Sequence, residues 1–466
     1  MNRLAKPSAA LCCALFTGLL LAGFLLAKSA PAAAVETAGE APTTRLDDGS
    51  VAVAGELLVG YAGSEAPQTV PIPVAADPAA VAEQVEDSPG VRYAIPNYIA
   101  STSAWLPDDP GVNPGRPGTR AGWLNKQWNF LPCAKSCGNR RSAGRPQSRG
   151  GMNVIAAWRH LRRAGRPGAS GVKIAVLDTG IAYRSLGQRF RRSPDLAASR
   201  FLPGYDFVDR DRLPLDLNGH GTHVASTIGE QTNNGFGLTG IAYRAKLMPV
   251  RVMDANGDGN TADIVAGIRW AANHGARVMS MSLNFTCGLD VPPVEEALRY
   301  AYRKGVVLIG SSGNIGNEDC PSLPATAPEV ISVGGSTESG CVATYTFTSN
   351  LVDIAAPGGG SDRPDCPWSS RNRPILQVGM IARDPGWFGI EAGWAGTSMA
   401  AAHVAGAAAA VIASGVLGRS PGPGKVTRRL ARTARLPAYA AGDPASGFGA
   451  GIVDLGKATN PNLSPD

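Results

Sequence analysis

The sequence predicts an α/β domain built on a mostly parallel sheet flanked by helices, preceded by a small α+β unit. Three observations predict it. Continuous apolar runs at 172–177 (VKIAVL), 246–252 (KLMPVRV), 278–283 and 306–309 read as strands buried on both faces. Helical stretches at 220–229, 262–274 and 294–303 alternate with them, the order of a parallel sheet. Upstream, 56–61 (ELLVGY) is strand-like, and Asp77-Pro78 reads as an N-cap followed by Pro in the first turn, with Val81 and Val85 one turn apart. There Val91, Tyr93 and Ile95 alternate as in a half-buried strand.

Taken in order, the first 34 residues read as a leader. Arg3 and Lys6 precede an apolar run at 9–27, and Ala32-Ala33-Ala34 offers small residues for cleavage. The run is long enough for a membrane anchor too; its small-residue end favours a cleaved signal. No later segment reads as apolar enough to span a bilayer, so the chain is expected outside the cytoplasm. Six of the eight cysteines follow the leader, an even number that favours disulfides in an exported protein. Zinc is the other reading of Cys133 and Cys137, but no second ligand pair accompanies them. Residues 35–104 read as a small separate unit, and 105–153, rich in Gly, Pro and Arg, as a linker or extended basic surface arm at the start of a domain spanning 105–466. The formal charge is +7, yet 110–177 contains no Asp or Glu. Without a nucleic-acid motif this reads as a solvated basic face rather than contact with a polyanion.

Three short motifs sit at element ends. Asp178, in 176–180 (VLDTG), ends a buried strand, the edge where open α/β sheets place their chemistry. His220, in 218–223 (NGHGTH), opens a helix; His220 and His223 as a metal pair would lack a third ligand. Ser398, in 396–400 (GTSMA), opens a helix of small residues, where a hydroxyl is either an N-cap or an exposed nucleophile helped by the helix dipole. Together they supply a weak nucleophile, a base near neutral pH and a carboxylate to orient that base.

VLDTGI, NGHGTHVA and GTSMAAAHVAG resemble, in order, the three signatures of the subtilisin-like peptidases, and Ser312-Gly313-Asn314 matches a fourth; the resemblance runs from about Asp109 to Val453. It implies a subtilisin-like fold and a secreted serine endopeptidase cutting extended or unfolded polypeptides through an acyl-enzyme. Asp178, His220 and Ser398 would form the triad. Asn314 and the backbone N–H of Ser398 would hold the oxyanion. Substrate would lie between Gly257, Asp258, Gly259 and Ser282, Leu283, Asn284, adding a strand by main-chain pairing. Ser282, Leu283 and Asn284 with Ser311, Ser312 and Gly313 would wall the main specificity pocket. No charge lies there, so an apolar or aromatic residue before the cut is expected.

The resemblance also implies a structural calcium on Asp109, Asp195, Thr232, Asn234, Phe236 and Leu238, all offering hard oxygens. The EF-hand-like start at Asp254, Asn256 and Asp258 lacks Glu at its twelfth position, Val265. Residues 35–104 would be a propeptide that aids folding and inhibits the enzyme, with 93–99 as its last strand and cleavage within 100–108. The expected disulfides are Cys287–Cys320, which follow the two cleft-lining strands, Cys341–Cys366 and Cys133–Cys137. The sequence departs from the family at Ala401-Ala402, where Ser or Ala and then Pro are usual, and at Asn284, where Gly is usual. A narrow-specificity maturation protease and an inactive binding protein on the same fold are the alternatives. The mature chain is read as a monomer that binds polypeptide substrates, without nucleic acid or a stable membrane attachment.

Overall fold

The computed structural model describes residues 42–46, 51–98, 105–113, 116–133, 146–316, 322–347, 349–368, 372–390, 394–440 and 446–464; the expected signal segment, 1–34, lies outside them. The chain divides into two compact units, Met1–Thr102 and Ser103–Asp466.

In the first unit, β1 (Thr43–Arg45), β2 (Val51–Tyr61), β3 (Gln68–Pro71) and β4 (Val91–Tyr98) form an antiparallel sheet with β2 at its centre. Helix α1 (Pro78–Glu86) starts at Asp77, whose carboxylate accepts from the Ala79 N–H at 3.0 Å. Its Ala82 packs on Leu57, Val59 and Ala94, with Val81, Val85 and Val91 around them. The expected alternation of Val91, Tyr93 and Ile95 is corrected at one point. Register slips between the Tyr61–Val91 and Gly60–Tyr93 pairs, leaving Arg92 as an extra, bulged residue. Val91 therefore faces the core with Ala94 and Pro96, and Ile95 is exposed.

The second unit opens with α2 (Val154–Arg163), followed by β5 (Lys173–Asp178), β6 (Tyr205–Asp206), α3 (His220–Gly229), β7 (Lys246–Arg251), α4 (Thr261–Asn273) and β8 (Val278–Met281). Then come α5 (Pro292–Arg303), β9 (Val307–Ser311), β10 (Val330–Ser336), β11 (Ile354–Pro357), the hairpin β12 (Val378–Met380) and β13 (Phe388–Ile390), α6 (Thr397–Ser414), α7 (Pro423–Thr433) and α8 (Leu455–Ala458). Seven strands pair in the order β11-β10-β9-β8-β5-β7-β6, every pair parallel.

Period-two alternation feeds two cores. Ile174 and Val176 of β5 pack with α2, α3 and α6 on one face, while Ala175 and Leu177 pack with α4 and α5 on the other. Burial of each of the larger side chains among these, Ile174, Val176 and Leu177, contributes about 1.5–3 kcal/mol. The strand order reverses at β5, which lies between β8 and β7, and Asp178 ends β5 at that switch point.

Two expectations change here. The described residues of 105–153 do not form an extended surface arm: Trp123, Trp128, Phe130 and Met152 are fully buried in the main core. The Trp123 and Trp128 indole N–H groups donate to the Pro107 and Pro374 carbonyls at 3.1 and 3.2 Å, so these large rings bury without orphaned donors. Helix α6 does qualify by length and mean hydropathy, 1.4, as a membrane span, but 83% of it is buried as the central helix of the domain.

Cys341 is bonded to Cys366, with Cα atoms 5.8 Å apart. Cys133 and Cys287 are also in disulfide form; Cys137 and Cys320, their expected partners, lie outside the described residues.

Candidate active site

Asp178, His220, Asn314 and Ser398 come from four separate elements and meet at the C-terminal edge of the sheet. The His220 Nδ1 atom lies 2.7 Å from Asp178 Oδ1. Gly219, the α3 cap, has φ +100°, which only glycine adopts without strain, and His220 follows as the first helical residue. A Cβ on Gly221 would lie 2.1 Å from the Gly180 carbonyl oxygen, so the close approach of α3 to the Asp178 loop also requires glycine.

Asp216, which the sequence reading missed, organises this loop. Its buried carboxylate accepts from the N–H groups of Asn218, Gly219 and Thr222 at 2.9 Å, and from the Thr179 and Thr222 hydroxyls at 2.9 and 2.6 Å. Its position four residues before His220 in DLNGH is the signal that marks it. Burial alone would lower the His220 pKa, but the Asp178 charge and hydrogen bond, with help from Asp216, outweigh it and hold the imidazole above its ordinary value. His223 is fully buried: its ring stacks on Trp394 at 5.1 Å, and burial, then His220, pushes its pKa down to about 3. Among the described residues, no third metal-ligating side chain groups with the two histidines.

Gly396 caps α6, so Ser398 is its second residue and its hydroxyl is not the cap. Asn314 Oδ1 accepts from the Thr397 N–H at 2.8 Å and the Thr397 hydroxyl at 2.9 Å. This fixes the amide and leaves its nitrogen for a ligand. Ser282 Oγ donates to the Ser398 carbonyl at 3.2 Å.

His220, Asn314 and Ser398 line a cleft of about 480 Å³. Gly257, Asp258, Gly259, Ser282, Leu283 and Asn284 line it as well, joined by Phe285, Arg383 and Trp394, which sequence reading did not single out. Ser311, Ser312 and Gly313 are buried behind the lining. Asp254 accepts from the N–H groups of Asn256, Gly257 and Asp258, an Asx turn ahead of α4, and Val265 lies inside that helix.

The subtilase family (Peptidase_S8) sequence model matches residues 169–451. The chain belongs to this family. It is 31% identical over 336 residues to a thermophilic serine proteinase of Bacillus sp. (strain AK1), covering 72% of this chain and 67% of that protein. Against thermitase of Thermoactinomyces vulgaris it is 35% identical over 246 residues, covering 53% of this chain and 76% of thermitase. Among solved structures, a protease from Pseudoalteromonas arctica PAMC 21717 superposes with a TM-score of 0.58 at 28% identity, covering 76% of this chain and 99% of that one. This subtilase is accordingly a serine-type endopeptidase.

The residues expected to hold calcium gather at a second place. Asp109 and Asp195 are fully buried. Asp109 accepts from the N–H groups of Asn233 and Asn234 at 2.8 and 3.1 Å, and Asp195 from Asn234 Nδ2 and the Leu238 N–H at 2.8 and 3.0 Å. Glu230, a third buried carboxylate that the sequence reading missed, accepts from the Val378 N–H at 2.8 Å. Burial pushes Asp109 up to about 6 and also raises Asp195 and Glu230, with the Asp109 charge adding to both and the Asp195 charge to Glu230. Thr232 and Phe236 flank Asn234 in the same loop; the Thr232 hydroxyl donates to the Glu230 carbonyl and accepts from the Gly240 N–H.

Proposed function

We propose that Asp178, His220 and Ser398 are the catalytic triad of an exported, zymogen-encoded endopeptidase that cuts extended polypeptides with a broad, apolar preference. The observation that carries this reading is the 2.7 Å Asp178–His220 contact at a cleft that Ser398 and Asn314 also line. Ser398 Oγ attacks the substrate carbonyl carbon while its proton passes to His220 Nε2. Asp178 holds the tautomer that presents Nε2 and stabilises the imidazolium once formed. The tetrahedral oxyanion takes hydrogen bonds from the Asn314 amide and the Ser398 N–H. Collapse breaks the C–N bond, His220 gives its proton to the leaving amine, and water deacylates Ser398 by the same route in reverse.

Export is supported by the apolar leader and by the disulfide state of Cys133, Cys287, Cys341 and Cys366. The separately packed first unit has its own small core, as a propeptide needs, and cleavage within 100–108 would release the enzyme. A hard cation suits the second cluster, because buried carboxylates that oppose one another's ionisation are relieved by a positive ion. Asp109 and Asp195, with Asn234 and the backbone oxygens of Thr232, Phe236 and Leu238, would hold calcium there and brace the loop; the Asn234 amide, which turns its nitrogen to Asp195, would have to turn over to present its oxygen.

Casein hydrolysis by two variants tests the assignment. Ser398→Ala should abolish turnover. Asn314→Leu should lower kcat by about 10²–10³ with little change in KM, the loss known for this kind of donor in subtilisin. Substantial turnover by Ser398→Ala would place the nucleophile elsewhere.

A further inference from the structure

Strands β8 and β9 are direct neighbours, with Met281 paired to Gly310. The segments that leave their C-terminal ends, 282–284 and 311–313, therefore start side by side, the first lining the cleft. Ser282 is tied to the Ser398 carbonyl at 3.2 Å. Asn314 continues from Gly313 and is tied to Thr397, the residue before Ser398. The family resemblance implies that the side chain of the residue before the cut is walled by those two segments.

Asn284 links the two segments. Its Nδ2 donates to the Ser311 carbonyl at 2.7 Å and to Ser322 Oγ at 3.1 Å, and its Oδ1 accepts from Ser311 Oγ at 3.0 Å. Ser311 and Ser322 are buried, at 0% and 7% exposure, whereas Asn284 is exposed in the cleft. The amide is thus fastened to buried polar groups while its residue stays exposed in the cleft, the arrangement of a pocket floor.

We propose that Asn284 is a specificity-determining residue that makes the pocket shallow, so that this subtilase cuts after alanine-sized residues and discriminates against aromatic and long aliphatic ones. This rests on the triad reading above and narrows its apolar preference. A methyl group settles on the amide without disturbing it. A phenyl or isobutyl group must displace it, leaving the Ser311 carbonyl and the Ser311 and Ser322 hydroxyls buried without their partner. Unmade hydrogen bonds of this kind are what separate a good substrate from an excluded one.

The test compares tetrapeptide p-nitroanilides that differ only in the last residue, Ala, Leu or Phe, with enzyme concentration set by sulfonyl fluoride titration of the active serine. In the wild type, kcat/KM for Ala should exceed that for Phe by about tenfold or more. Asn284→Gly opens the floor, and should raise kcat/KM for Phe relative to that for Ala about tenfold. A structural defect would lower all three substrates together. Cleavage sites in casein digested by the wild type give a reading that needs no variant, with cuts expected after Ala, Gly and Ser. Cuts chiefly after Phe, Tyr and Leu, or an Ala-to-Phe ratio unmoved by Asn284→Gly in titratable enzyme, would overturn the pocket assignment alone. Enzyme that neither titrates nor hydrolyses any substrate would overturn the triad reading and this one with it.

Discussion

His220 stands between opposed influences. Burial disfavours its imidazolium, while the Asp178 carboxylate at 2.7 Å favours it, and the carboxylates prevail, so the pKa lies above the ordinary histidine value of 6.5. A general base works only when neutral. Activity is therefore expected to climb with pH through that raised value and to be lost as pH falls below it. In Asp178→Asn the charge that raised the pKa is gone, so the acid limb of kcat/KM should move to lower pH while kcat falls by about 10⁴. Measured pH profiles check this; a limb unmoved by Asp178→Asn would mean that another group sets it. The residues proposed as the triad could be picked out of the sequence because each sits in a short pattern that chemistry constrains, such as the glycines around His220. Asn284 was visible as an odd residue but its role was not, since its partners lie 27 and 38 residues away and only the β8–β9 pairing brings them together. Asp216 was overlooked because a carboxylate in a loop reads as solvated until the five donors converging on it are seen.

Among the elements, α6 carries both the proposed nucleophile, Ser398, and much of the main core, and its small residues let it pass close to its neighbours. A Cβ on Gly406 would lie 2.9 Å from Ile241 Cβ and 3.0 Å from its Cγ2. Gly406→Val should therefore overpack this contact and cost about 1–3 kcal/mol, more than the few tenths that valine's better helix propensity returns. A lower melting temperature in the Ser398→Ala background is the expected result, and an unchanged one would show that α6 has room to shift. Strands β5, β7, β8 and β9 were legible because burial on both faces forces unbroken apolar runs. Strand β10 was not, because its sequence VISVGGS gives way to Gly and Ser where neighbouring chain lies close: a Cβ on Gly334 would come within 2.5 Å of the Gly447 carbonyl oxygen. Strand β11 (IAAP) was not either, because alanine and a closing proline carry little strand signal.

At the scale of the whole molecule, the chain divides into two compact units, and the described part of the segment 105–153 differs from its sequence reading. Its Gly, Pro and Arg suggested solvent, while the aromatic residues spaced among them build a core: Trp123 and Phe130 lie 5.6 and 5.9 Å from the Trp158 ring. Calcium would act at this scale too, since an ion that binds only the folded state stabilises it by about 2.7 kcal/mol at a hundredfold excess over its Kd. Melting temperature in the Ser398→Ala background should fall when calcium is replaced by chelator, and Asp195→Ala should abolish the difference. Equal midpoints would remove calcium from this loop, and a difference that survives Asp195→Ala would move the ion elsewhere. The most direct measurement of all is peptide mapping of the processed enzyme after reaction with phenylmethylsulfonyl fluoride. A single adduct on Ser398, formed in step with loss of caseinolytic activity and absent from His220→Ala, is the expected result; full inactivation with Ser398 unmodified, or full activity with Ser398 modified, would contradict the assignment of Ser398 as the nucleophile.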